Sequence, residues 1–202
     1  MNSQSICIAD VLLEFFEVCF HSILFLRNVY PPSIFVLKKK YNVPVHVCLY
    51  PDLNQYISQV LKSIKKFLIS NKIEEISFCI YNSSSKLMEK FVFNNIHFGF
   101  EPSLKLTDEL LQDIKQLEDA FRTFCLKLSM MDSVLKPPQD NSSFRIFVKT
   151  EESGYSSICD DPSFEEFPWI AEDIEPNNML QEIVPIKSIQ NPSIQLQLYA
   201  KI

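Results

Sequence analysis

His46 and Cys48 stand two residues apart in VPVHVCLY (43–50). On an extended strand such positions share a face, so an imidazole and a thiolate there could begin a metal site, or a nucleophile with its base. Two further histidines, His21 and His97, complete the set, and none of the six cysteines (Cys7, Cys19, Cys48, Cys79, Cys125, Cys159) falls in a CxxC or paired Cys/His spacing. Satisfied core residues explain this pattern better than a metal site, and no cofactor is expected. A thiol-dependent enzyme stays as the competing class, although nothing places a thiolate at a helix N-terminus or beside a base. Glu14 with Glu17 and Glu74 with Glu75 have the residue type for general acid and base work, but they read as a solvated helix face and a strand edge.

Composition narrows the classes further. The chain has 202 residues, 47% of them hydrophobic with 17 Phe, which is enough for one domain with a proper core. Its two glycines, Gly99 and Gly154, leave no room for a Rossmann fingerprint, a P-loop or a nucleophile elbow. Without CxxC pairs or a secretory leader, the cysteines are expected to be reduced thiols of an intracellular protein. The longest charge-free run of the apolar start, Val18 to Leu26, falls far short of the ~20 residues that span a bilayer. The run Lys38–Lys40 suits a solvated turn better than an import or phosphate-contacting patch, and a pI near 5.1 argues against direct nucleic-acid binding.

Three helices and a set of short strands must carry these residues. Ile6 to about Val29 is apolar nearly all round and predicts a central, covered helix. After Pro51, with Asp52 as the expected N-cap, Leu53, Tyr56, Ile57, Val60, Leu61, Ile64 and Leu68 form one apolar stripe at helical spacing. A third helix opens at Thr107 with Asp108 and Glu109 in its first turn and a Leu106–Leu111 staple. Its buried face is Leu110, Leu111, Ile114, Leu117, Phe121, Phe124, Cys125 and Leu128. The period drops to two in 43–50, 76–81, 89–93, 144–150 and 193–199, with a hairpin turn at 82–85 and a longer loop at 136–143. Strands and helices do not alternate strictly, so the expected class is α+β with helices on one face of a mostly antiparallel sheet.

Charge divides the chain. Residues 150–186 hold ten acids and no Lys or Arg, against a net charge of −6 overall, so the remainder is mildly basic at +4. The lone Trp169 lies in this acidic segment, within SFEEFPWI (163–170). Aromatic residues in such a segment argue for contact with something rather than for disorder.

Several stretches together carry a family likeness. ADVLLEFFEV (9–18), LRNVYPPSIFVLKKKYNVPV (26–45), PDLNQYI (51–57), EKFVF (89–93), FPWI (167–170), IVPIK (183–187) and QLQLY (195–199) resemble, in order and spacing, the HORMA-domain family. They sit closest to its translesion DNA polymerase zeta branch; the spindle-checkpoint branch shares the fold and is the alternative. The likeness runs from about Ile6 to Tyr199 and implies one HORMA domain over 6–199. In it, 6–149 is the core, and 150–202 forms a mobile seat belt and the C-terminal strands. It implies a non-catalytic adaptor in translesion synthesis, DNA repair and cell-cycle control, located in the nucleus and cytoplasm, with no direct nucleic-acid or membrane binding.

Site residues follow from the same resemblance. Tyr56, Pro168, Trp169, Ile170 and Ala171 would hold a proline-containing peptide of the polymerase zeta catalytic subunit under the belt. Ile183, Gln197 and Tyr199 would bind the C-terminal domain of the deoxycytidyl-transferase translesion polymerase, which acts as scaffold. Arg122 and Ser133 would lie in a homodimer interface on the long helix. Break-repair and mitotic regulators, and a HORMA-remodelling ATPase, complete the implied partners. Alternation adds that Gln195, Gln197 and Tyr199 share one face of their strand and Ile194, Leu196 and Leu198 the other. Two positions depart from the family pattern: Leu37 replaces a basic residue, and Ala171 replaces a larger apolar one, a loss of contact worth about 1–3 kcal/mol of peptide affinity.

Overall fold

The structure is a computed structural model that describes residues 3–70, 72–97, 108–135, 137, 141–150, 167–171, 180–190 and 195–202; the side chains of 3–8, 95, 97 and 108–114 are not among those described. The first helix, α1 (Ser3–Leu26), buries Leu12, Phe15, Phe16, Cys19, Phe20, Ile23 and Leu24 and lies at the centre of the core. It ends sooner than Val29 because Asn28 enters the left-handed region at φ 50°. The N–H groups of Asn28 and Val29 then donate to the Phe25 and Leu24 carbonyls, each at 3.1 Å, in a Schellman cap.

A two-stranded ribbon follows, β1 (Phe35–Lys40) antiparallel to β2 (Val43–Cys48). Its turn is Tyr41–Asn42, with φ of 49° and 60°, the double positive-φ geometry that suits the twist of hairpin strands. Tyrosine is costly there, and packing holds it: its ring lies 6.5 Å from Phe15 and 5.4 Å from Phe121. Lys38–Lys40 therefore belong to a strand rather than to a solvated turn, and Lys40 Nζ reaches Glu14 Oε1 at 2.7 Å.

The second helix, α2 (Pro51–Ile69), buries Leu53, Ile57, Val60, Leu61, Ser63, Ile64, Phe67 and Leu68, while Tyr56 is half-buried. Asp52 is not its cap. Tyr50 holds that position without a side-chain bond, Pro51 supplies a pre-set φ in the first turn, and Asp52 accepts the Tyr50 hydroxyl at 2.8 Å. The carboxylate still lies by the positive end of the helix, which favours it.

Five strands make the main sheet: β3 (Ile73–Tyr81), β4 (Leu87–His97), β5 (Ser143–Thr150), β6 (Ile183–Gln190) and β7 (Gln195–Lys201). Their order is β5-β3-β4-β7-β6, and every neighbouring pair is antiparallel. Asn82 shapes the β3–β4 turn, its Oδ1 accepting the N–H groups of Ser84 and Lys86 at 3.0 and 2.9 Å. The inward face presents Ile76, Phe78, Phe91, Phe93, Ile146, Leu196 and Leu198 to α1 and to the third helix, α3 (Asp108–Met130). Phe20 lies 5.1 Å from Phe78, and Phe15 stacks on Phe121 at 4.1 Å. Leu117, Phe121, Phe124, Cys125 and Leu128 are the buried face of α3, as its spacing predicts. The expected start at Thr107 and its staple, the side chains of Leu110, Leu111 and Ile114, and Ile194 all lie outside the described residues. No helix among the described residues is long and apolar enough to cross a membrane.

Candidate functional site: an aromatic groove on the second helix

The segment 167–171 lies on α2, far from it in sequence. A tight turn in which the Trp169 N–H donates to the Phe167 carbonyl at 2.9 Å sets the two rings side by side, 4.8 Å apart and edge to face. Both are half-buried, while Pro168 and Ala171 are exposed and Ile170 is 85% exposed. Trp169 meets Phe67 at 6.4 Å, and its indole N–H donates to the buried Ser63 hydroxyl at 2.6 Å. Phe167 meets Tyr56 at 6.0 Å, and Tyr56 meets Phe144 of β5 at 5.8 Å. Burial pushes the Tyr56 phenol above its usual range, so it stays neutral.

Of the five residues expected to hold a peptide, Tyr56 and Trp169 are thus joined through Phe167, whereas Pro168, Ile170 and Ala171 face outward beside them. Phe167, Ser63 and Phe67 are members of this row that sequence reasoning passed over. The signal for Phe167 was available in FPWI, where a second aromatic stands two residues before Trp169 with a proline between them that favours a turn. Ser63 and Phe67 had none, since both fall outside the apolar stripe that the spacing of this helix marks. The row borders β5, which is an edge strand among the described strands of the sheet.

The thiols and carboxylates are arranged otherwise. Cys19, Cys48, Cys79 and Cys125 are buried, and burial raises the thiols of Cys79 and Cys125 to about 12 and that of Cys19 well above its ordinary value. A nucleophilic thiolate needs the opposite shift. The His46 ring stacks on Phe25 at 3.4 Å, while Cys48 takes the Tyr50 N–H on its sulfur at 3.2 Å. Among the described residues no three His, Cys, Asp or Glu side chains gather as a metal site would need. Glu14 and Glu75 pair with Lys40 and Lys90 at 2.7 and 2.8 Å, and Glu74 with Lys149 at 3.3 Å. Cys7, His97 and Cys159 fall outside the described side chains.

The two other expected surfaces have clear positions. On the C-terminal hairpin, Ile183 faces Lys201, Pro185 faces Tyr199 and Ser188 faces Gln197. Directly opposed residues share a face, so Ile183, Gln197 and Tyr199 stand together on the outer side, with Leu196, Leu198 and Ala200 buried beneath. Arg122 is exposed on α3, but Ser133 is past the helix, in the 3₁₀ turn Met131–Ser133, where its hydroxyl donates to the Met130 carbonyl at 2.8 Å. Leu126 and Met130 between them, and Val134 just after Ser133, are 45%, 70% and 54% exposed.

Residues 9–147 match the family model described as HORMA domain. The chain belongs to the HORMA-domain family. Among HORMA relatives, human "Mitotic spindle assembly checkpoint protein MAD2B" is 36% identical over 196 residues, covering 96% of this chain and 90% of that one. "DNA polymerase zeta subunit 2" of Drosophila melanogaster is 27% identical over 164 residues, covering 80% and 79%. A HORMA architecture also links it to solved structures. A chain of "Crystal Structure of Mitotic Checkpoint Complex" superposes with a TM-score of 0.77 at 18% identity, covering 95% of this chain and 96% of that one. The structure of C. elegans HTP-2 bound to the HIM-3 closure motif does so at 0.69 and 15%, covering 96% and 89%. At those identities the likeness is one of fold, and three helices on an antiparallel sheet is the HORMA architecture found here.

Proposed function

We propose that the protein is a non-catalytic adaptor subunit of translesion DNA polymerase zeta. A proline-containing segment of the catalytic subunit lies along β5 and is held by the aromatic row of Tyr56, Phe167 and Trp169. The observation that carries this reading is the placement of the FPWI segment on α2 next to an edge strand. An extended peptide adds to such an edge through its backbone, and flat rings grip a proline-bearing chain that has little flexibility to lose. The names of the Drosophila relative above and of "DNA polymerase zeta processivity subunit" of Arabidopsis thaliana, 25% identical over 198 residues, support the choice of complex.

The outer face of the C-terminal hairpin, with Ile183, Gln197 and Tyr199, binds the deoxycytidyl-transferase polymerase, so the protein joins extender to inserter. The exposed side of α3, with Arg122, mediates homodimerisation. Residues 150–202 act as the seat belt and C-terminal strands of a single domain over 6–199. The protein works in the nucleus and cytoplasm; break-repair and mitotic regulators use the same groove, and a remodelling ATPase opens it. A spindle-checkpoint role is the second reading, favoured by the printed names of the MAD2B relatives.

The test is a pull-down with peptides tiled along the organism's own polymerase zeta catalytic subunit, followed by titration calorimetry. Trp169→Ala should weaken the best peptide by at least about 2 kcal/mol, the loss typical of a central aromatic anchor, with the circular dichroism spectrum unchanged. Equal affinity of the variant and the parent would sink the groove, and preference for a checkpoint motif would favour the second reading.

A further inference from the structure

Ser63 is the one polar side chain among the buried residues of α2. A serine inside a helix has a poorer propensity than alanine, and its hydroxyl must be satisfied once it leaves water. Here that hydroxyl accepts the Trp169 indole N–H at 2.6 Å, across 106 positions of sequence. Contacts with Phe67 and Phe167 surround the ring, yet apolar contacts alone fix orientation loosely. The indole has a single polar hydrogen and no acceptor, so one correctly placed oxygen selects one orientation of the ring.

We propose that Ser63 is a positioning residue for Trp169: its hydroxyl locks the indole onto α2 and thereby sets how long a captured peptide stays in the groove. The consequence for binding deepens the groove reading and rests on it, whereas the contact itself can be tested with no peptide. Trp169 is the only tryptophan of the chain, so its fluorescence and its single indole cross-peak in a proton–nitrogen NMR spectrum report this bond directly.

In the full chain, Ser63→Ala should shift the emission to the red, open the indole to iodide quenching and move the cross-peak. Ser63→Cys, whose sulfur is a weak acceptor of similar size, should lie between the two. Ile57→Val trims another buried side chain of the same helix, about 120° round from Ser63, and should change none of these signals, which separates positioning from general loss of stability. With the best of the tiled polymerase zeta peptides, Ser63→Ala should speed dissociation about tenfold with little change in association, the effect of losing a buried hydrogen bond and stranding its donor.

Unchanged emission and cross-peak in Ser63→Ala overturn the positioning role, as does the same shift in Ile57→Val. Should Ser63→Ala not fold, Ser63→Cys indistinguishable from the parent overturns it equally. Unchanged dissociation in Ser63→Ala, where Trp169→Ala abolishes capture, overturns the control of residence time and leaves the groove standing. Unchanged capture in Trp169→Ala defeats the groove instead, while the spectroscopic arm still decides the Ser63 contact.

Discussion

His21 lies on α1 with 2% of its surface exposed, its Nε2 without a hydrogen-bond partner among the described residues, and Lys38 nearby as the charged group that acts on it. Burial first, and Lys38 second, lower its pKa from 6.5 to about 4. A base with a depressed folded pKa contributes stability that is present above the unfolded value and is lost as pH falls through the window from 6.5 to about 4. The loss should reach roughly 2–3 kcal/mol by about pH 4.5. Guanidinium titrations of the parent and of His21→Leu should show it as a shallower pH dependence in the variant; parallel profiles would refute it. The same scale governs Ala171, which is exposed beside Ile170. Replacing it with leucine should tighten peptide binding by about 1 kcal/mol, measurable by calorimetry, if the peptide passes over this point.

Elements were legible to the extent that burial followed a period. The stripe on α2 and the alternation of Leu196 and Leu198 with Gln197 and Tyr199 could be read from spacing, because one face of each element is covered and the other is not. Strand β1 escaped notice because FVLKKK has no alternation, and its turn uses Tyr41 and Asn42 where a glycine would have marked it. The groove was half legible. Trp169 stands out by composition, whereas its partners Ser63 and Phe67 come from a helix whose sequence cannot say which neighbour covers it. Long-range ion pairing was hidden for the same reason. Arg27, just past α1, meets Glu89 of β4 at 2.6 Å with side chains 3% and 7% exposed. Arg27→Met should destabilise the fold by about 3–5 kcal/mol by stranding the buried carboxylate, and adding Glu89→Leu should recover most of that loss in chemical denaturation. On the C-terminal hairpin, Tyr199→Ala should break scaffold binding and spare peptide capture in paired pull-downs. Loss of both would mean that the two surfaces are coupled.

At the level of the whole molecule, the three proposed surfaces lie on different elements: the groove on α2, the scaffold face on β6 and β7, and the dimer face on α3. Separate location predicts separable defects. Arg122→Glu combined with Met130→Asp should yield monomers in sedimentation velocity while peptide affinity stays within about twofold, because independent sites contribute additively. The order of the sheet has a further consequence for how the protein is made. Strand β7 sits between β4 and β6, although β4 precedes it in the chain by some hundred residues. At a translation rate of 5–20 residues per second, the nascent β4, bearing Phe91 and Phe93, waits on the order of ten seconds for its second neighbour. Until the hairpin emerges from the ribosome, that open edge is the place where the growing chain invites aggregation and where a chaperone has something to guard.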